Sequence, residues 1–212
     1  VATSVGIAAI LVTAGRADSA TVIENYPSTP NAVVPDNNLS GLVDTINVTT
    51  AMTTIDKVTV TIETTGGWTG DLYAYLYHDG VTSILLNRTS LTAATPAGSS
   101  ASGITLSLED AASTDIHDVA AGTSPIVGSF QPDGRNVSPL TADDTSARTT
   151  SLADFIGAAA GGDWSLFIAD VAGGDEATLV SWSVSLTGDV VPEPSVGILA
   201  ALGLLAAFRR RR

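Results

Sequence analysis

Polar and apolar residues alternate with a period of two through most of the chain, and helical periodicity is nearly absent. In Lys57-Val58-Thr59-Val60-Thr61-Ile62-Glu63 every second side chain is apolar, which fits a strand with one face on a core and one in water. Trp164, Leu166 and Ile168 repeat the pattern, as do Trp182, Val184 and Leu186, and both tryptophans fall on the inward phase. Leu42–Val48, Asp71–Tyr77, Thr82–Leu86, Ile104–Leu108 and Ile126–Phe130 are further strand segments, in a chain rich in threonine and valine. Gly66-Gly67, Asp79-Gly80, Asp133-Gly134 and Gly173-Gly174 punctuate them where turns need positive φ. This pattern predicts an all-β, jelly-roll-like antiparallel sandwich of about eight or nine strands. One helical turn is predicted over residues 151–160: Ser151 and Asp154 form a variant capping box, and Leu152, Phe155 and Ile156 share a face. Thr92–Ser102 and Ala142–Thr150 read as small-residue loops, too poor in large apolar groups to pack well.

The two ends break the alternation. Val5–Ala14 is a short apolar run followed by small residues, which reads as a signal peptide over residues 1–20, cleaved after Ala17 or Ala20. At the other end, Pro192-Glu193-Pro194 leads into an apolar run, Val196 to Phe208, and then Arg209 to Arg212. Thirteen residues at 1.5 Å rise make about 20 Å of helix, shorter than a hydrocarbon core of about 30 Å. The terminal arginines nonetheless hold that end on the cytoplasmic side, so a short hydrophobic helix over residues 196–208 is expected to anchor the chain in the membrane with its body outside. These expectations divide the chain into residues 1–20, a body of 21–190, and a tail of 191–212.

The tail resembles the PEP-CTERM sorting segments of Gram-negative bacteria, with a Pro-Glu-Pro box, a hydrophobic segment and a basic end in the same order. The resemblance implies processing near Pro192, Glu193 and Pro194 by an exosortase-type transpeptidase. Transient anchoring in the inner membrane and delivery to the outer envelope or extracellular space would follow.

Composition narrows the functional classes. The net charge is −13, and between Thr21 and Val191 only Lys57, Arg88, Arg135 and Arg148 stand against 20 carboxylates. Such a surface repels phosphates, so nucleic acid is excluded as a partner. With no cysteine, neither disulfides nor thiolate metal sites can form.

Several body segments, in order, resemble the P domain that follows the catalytic domain of proprotein convertases. They are Ile55–Ile62, Gly70-Asp71-Leu72, Gly128–Pro132, Leu152–Gly157, then Gly162-Asp163-Trp164-Ser165-Leu166 through Asp170, Gly174-Asp175 and Leu179–Trp182. The chain departs from the family at Glu176-Ala177, where another glycine is usual, and Thr92–Ser102 has no counterpart. The resemblance implies a jelly-roll sandwich that assists a serine protease without cutting bonds itself.

Candidate chemistry is sparse. Gly122-Thr123-Ser124 resembles the nucleophile segment of subtilisin-like proteases, but Pro125 follows at once and neither His78 nor His117 sits in a base-like motif, so no enzyme is expected. Hard cations want carboxylate and carbonyl oxygens, and Asp71, Glu109, Asp110, Asp170 and Asp175 stand at strand ends and turns as ligands for one structural calcium. Tyr73, Tyr75 and Tyr77 project from one face of a strand while Leu72, Ala74 and Leu76 take the other, forming an aromatic stripe with Trp68 near its edge. Such a stripe can stack on sugar rings or simply cover the sheet. The sequence therefore points to an envelope or matrix module that binds polysaccharide or protein, with a protease-accessory role and carbohydrate binding as alternatives.

Overall fold

The computed structural model describes residues 19–120, 122 and 124–190. Residues 1–18 of the expected signal peptide, the Pro-Glu-Pro box, the hydrophobic segment 196–208 and Thr123 lie outside the described residues, while Ala20, the last residue of that expected segment, opens the first strand. Residues 21–190 make one unit of two sheets packed around a shared core. In chain order its strands are β1 (Ala20–Ser28), β2 (Ala32–Val34), β3 (Leu42–Val48), β4 (Met52–Gly66), β5 (Leu72–His78), β6 (Val81–Asn87), β7 (Ile104–Leu108), β8 (Ile126–Phe130), β9 (Gly162–Asp170) and β10 (Ala177–Val190).

The larger sheet runs β1-β10-β4-β7-β8, with β2 on the end of β10, and the smaller runs β3-β9-β5-β6. The spine of the larger sheet is the antiparallel pair β4 and β10, which runs from Ala177 opposite Gly66 to Val190 opposite Met52 with register shifts between Leu179 and Ser181, Thr187 and Gly188, and Asp189 and Val190. The alternation in β4 serves both faces: Val58, Val60 and Ile62 are buried, while Lys57 before them and Thr61 between them face water. Trp164 and Trp182 are fully buried as their phase predicts. The Trp182 indole N–H donates to Asp44 Oδ2 at 2.6 Å, which ties β10 of one sheet to β3 of the other. Asp79 and Gly80 both take positive φ, 45° and 81°, closing a two-residue hairpin between β5 and β6.

The pattern missed three things. β1 and β2 lie where no strand was expected: β1 carries polar residues and Pro27 at the edge of the larger sheet, and β2 is only three residues long, too short for alternation to register. β7 and β8 pair in parallel, a register that alternation cannot distinguish from antiparallel. The turn after Ser151 is a single 3-10 turn, Leu152–Phe155. Its Asp154 carboxylate accepts the Ser151 amide at 2.9 Å as expected, but Ile156 points outward, 53% exposed.

The small-residue loop 92–102 does pack. Ser99 and Ala101 are buried, and their carbonyls accept from the Gly70 and Thr69 amides at 2.8 and 2.9 Å. Close backbone approach replaces large side chains here, because a Cβ on Gly70 would lie 2.4 Å from the Ser99 nitrogen and 2.5 Å from the Ala97 carbonyl oxygen. Gly70→Ala is therefore expected to lower stability by about 1–3 kcal/mol in urea unfolding, the ordinary cost of overpacking. A variant as stable as the wild type would show that the loop yields freely.

Candidate functional site

Gly70 fixes the start of β5, and with it the side chain of Asp71. Leu72 pairs with Asp170 at the end of β9, so Asp71 and Asp170 meet where these neighbouring strands meet. The turn after β9 brings Asp175 to the same place, and Asp36, in the turn after β2, joins them through the Gly174 amide, which donates to its Oδ2 at 3.2 Å. Asp170 is completely buried and Asp71 nearly so, while Asp36 and Asp175 are exposed.

Asp170 Oδ1 accepts from the Ala172 amide at 3.2 Å, but its buried Oδ2 has no hydrogen-bond partner. Burial pushes the Asp170 carboxyl up to about 6, the charges of Asp71, Asp36 and Asp175 push the same way, and the Ala172 amide opposes them. Burial also raises Asp71, with Asp175 and Asp36 adding to the rise, while Arg88, 3.6 Å away, works against it. An open depression of about 490 Å³ adjoins the cluster, lined by Trp68, Asp71, Arg88, Ala172, Gly173 and Asp175 among others.

Three of the five expected calcium ligands thus converge, and two do not. Glu109 is bound to Lys57 at 2.6 Å and to the Ser129 hydroxyl at 3.0 Å, contacts that lower its pKa. Asp110 accepts the Leu152 and Ala153 amides at 3.1 and 2.7 Å, so it caps the 3-10 turn. Asp36 was missed. Its only sequence signal is the Asp36-Asn37-Asn38 turn run, and nothing in that run says the turn lands beside β9. Among the described residues no three Asp, Glu or His side chains could hold a metal ion as they stand. A divalent cation would need the exposed side chains of Asp36 and Asp175 to swing toward Asp170 Oδ2.

Trp68 belongs to this acidic depression and not to the tyrosine stripe, correcting its expected place. The stripe itself lies on the outer face of the smaller sheet, with Leu72, Ala74 and Leu76 in the core. Tyr75 stacks on Phe167 of β9, centroids 4.7 Å apart at 13°, and Tyr73 meets both rings edge-on at 6.0 and 6.2 Å. Tyr73 and Tyr75 therefore spend much of their ring surface on each other and on Phe167. Tyr77 stays 44% exposed.

Both histidines are buried and occupied. His78 stacks on Trp164, 4.0 Å apart at 5°, and its ring nitrogens face the Asp163 and Ala159 carbonyls. His117 Nδ1 bonds Asp133 Oδ2 at 2.8 Å and Nε2 faces the Leu91 carbonyl at 2.9 Å. The Ser124 hydroxyl accepts from the Ser102 amide at 2.9 Å and donates to the Ser102 carbonyl at 3.2 Å, so it joins two loops.

Residues 190–212 match the PEP-CTERM protein-sorting motif. That motif is a recognition signal for exosortase, so the chain is an exported protein with a C-terminal sorting signal. No curated protein matches the sequence. Among solved structures, the serine protease of Aeromonas sobria is similar at 17% identity, and the same protease in complex with its chaperone ORF2 at 18%. Both superpose with a TM-score of 0.43 over 81% of this chain, which spans only 27% of the length of theirs.

Proposed function

We propose that this chain is a non-catalytic interaction module of the cell envelope or extracellular matrix, delivered there by its tail. The sorting motif at residues 190–212 carries the reading. The body adds support, since the imidazoles a hydrolase would use as base are buried at His78 and His117, with every ring nitrogen engaged. With Asp36 and Asp175 turned inward, the corner beside Asp170 would offer one structural calcium the carboxylates of Asp36, Asp71, Asp170 and Asp175. The ion would cancel the buried charge and fasten the turns after β2 and β9.

Fractionation of the native host with and without its exosortase tests delivery. Wild-type cells should release a body shortened near Pro194, and the knockout should hold the full-length chain at the inner membrane. An intact tail in both strains would overturn the reading. A protease-accessory role is a second reading, favoured by the P-domain-like run Gly162–Trp182. Co-purification of the secreted body with a serine protease would support it.

A further inference from the structure

The outer face of the smaller sheet has an order that the function above does not use. Strand register sorts its residues into three rows running across β3, β9 and β5. Val43, Phe167 and Tyr75 stand opposite one another in the first row, and Thr45, Ser165 and Tyr77 in the second, extended by Thr82 on β6. Asn47 and Asp163 form the third. Successive rows lie about 6.6 Å apart, two residues along a strand. One edge of the face is thus an apolar and aromatic wall, the middle is a line of hydroxyls, and the far edge is an amide beside a carboxylate.

The polar rows are already ordered: Thr45 and Ser165 share a hydrogen bond of 2.8 Å, and the Asn47 side-chain amide donates to Asp163 Oδ1 at 2.6 Å. Between wall and hydroxyls runs an open groove of about 450 Å³, lined by Val43, Tyr75, Tyr77, Thr82, Ser165 and Phe167. Its size is that of a small-molecule site. Resting on the reading of the chain as an envelope or matrix module, we propose that this groove binds an uncharged polysaccharide, with one sugar face against Tyr77 and the Tyr75–Phe167 wall and its hydroxyls along the second and third rows.

Charge and chemistry select this occupant. None of the body's four basic residues lines the groove, and the carboxylate excess of the body repels polyanions. A pyranose presents C–H bonds on its faces and hydroxyls around its rim, the same division the rows make. Tyr77 is the anchor, since the residue is 44% exposed while Tyr75 is stacked on Phe167.

The test is calorimetric titration of the full chain, held in a detergent without a sugar headgroup, with cellohexaose, laminarihexaose and maltohexaose. At least one hexaose should bind, with affinity falling tenfold or more in Tyr77→Ala and in Ser165→Ala. Val127→Ala, an exposed change on the other sheet, should leave it unaltered. The proposal is overturned if no hexaose binds a folded wild-type protein, or if Tyr77→Ala binds as well as wild type. It is equally overturned if sedimentation shows the wild type dimeric and Tyr77→Ala monomeric, which would give the face to a second copy. Delivery is read separately from cell fractions, so failure here with normal export would remove the groove and leave the module.

Discussion

In EDTA at pH 7.5, Asp170→Asn should unfold at a higher temperature than the wild type, by on the order of 6–12 °C. The native carboxyl is raised from 3.8 to about 6 by burial and by the neighbouring carboxylates. A raised folded value means that the folded state binds its proton more tightly than the unfolded chain does. The stability this gives is fully present below pH 3.8 and lost as pH rises through about 6. A shift of about two units corresponds to roughly 3 kcal/mol, and in a domain of this size each kcal/mol moves the midpoint by about 2–4 °C. Asparagine keeps an oxygen for the Ala172 amide and turns a donor toward Asp71 and Asp36, so it removes the charge without opening a cavity. The advantage should shrink steadily between pH 6 and pH 4.

Calcium supplies the complementary half of this experiment. At pH 7.5 millimolar calcium should raise the wild-type midpoint and leave Asp170→Asn where it was, since the ion and the substitution relieve the same buried charge. A scanning-calorimetry series over both variants, with and without calcium, separates the claims. No gain from asparagine in EDTA would mean that the buried charge is relieved some other way. A gain from asparagine without any wild-type response to calcium would remove the metal and keep the electrostatics.

Asp133→Ala should be the most damaging single substitution among the charged residues, at about 3–5 kcal/mol. Asp133 is fully buried and serves two side chains at once: Oδ2 bonds His117 Nδ1 at 2.8 Å, and Oδ1 lies 3.4 Å from the Arg135 guanidinium. Arg135 also donates to Asp115 at 2.8 Å, and Arg148 reaches the same carboxylate at 3.4 Å. Deleting Asp133 leaves Arg135 with Asp115 alone and strips the buried His117 Nδ1 of its partner, and breaking a buried hydrogen-bonded network of this kind is costly. Lys57→Ala breaks a shorter ion pair, 2.6 Å, but the lysine side chain is half exposed, so its loss should cost under about 1 kcal/mol. Chemical denaturation of the two variants side by side checks the ranking, and equal losses would refute it.

The same network gives a pH signature. Burial opposes the charged form of His117, but the hydrogen bond and charge of Asp133, with help from the Leu91 carbonyl, outweigh burial and the repulsion from Arg135, so the pKa is raised. Its stabilisation is complete below the unfolded value of 6.5 and declines as pH rises through the folded one. His117→Gln should flatten that part of the stability profile.

The sequence by itself determined the all-β class, most of the strands, much of the core and the C-terminal sorting signal. Alternation over residues 57–63, 164–168 and 182–186 decided which face each residue takes there, because a strand's side chains have a period of two and burying one face leaves no alternative phase. It therefore placed Trp164 and Trp182 inward, as they are found, and separated the leucine face of β5 from its tyrosine face, and the Pro-Glu-Pro tail was legible because a sorting signal is read as linear sequence. Only the tertiary structure decided which acids meet. Asp36 and Asp170 are 134 positions apart and share a site because β2 and β9 end at the same corner, while Glu109 and Asp110, equally acidic and equally at a strand end, are claimed by Lys57 and the turn at Leu152. The tyrosine stripe shows the same division. Alternation put all three rings on one face, but Phe167, brought opposite Tyr75 by the pairing of β5 with β9, left Tyr77 as the open one. Local pattern fixes the direction of a side chain, whereas its neighbours across strands depend on pairing between distant segments, which no single stretch of sequence encodes.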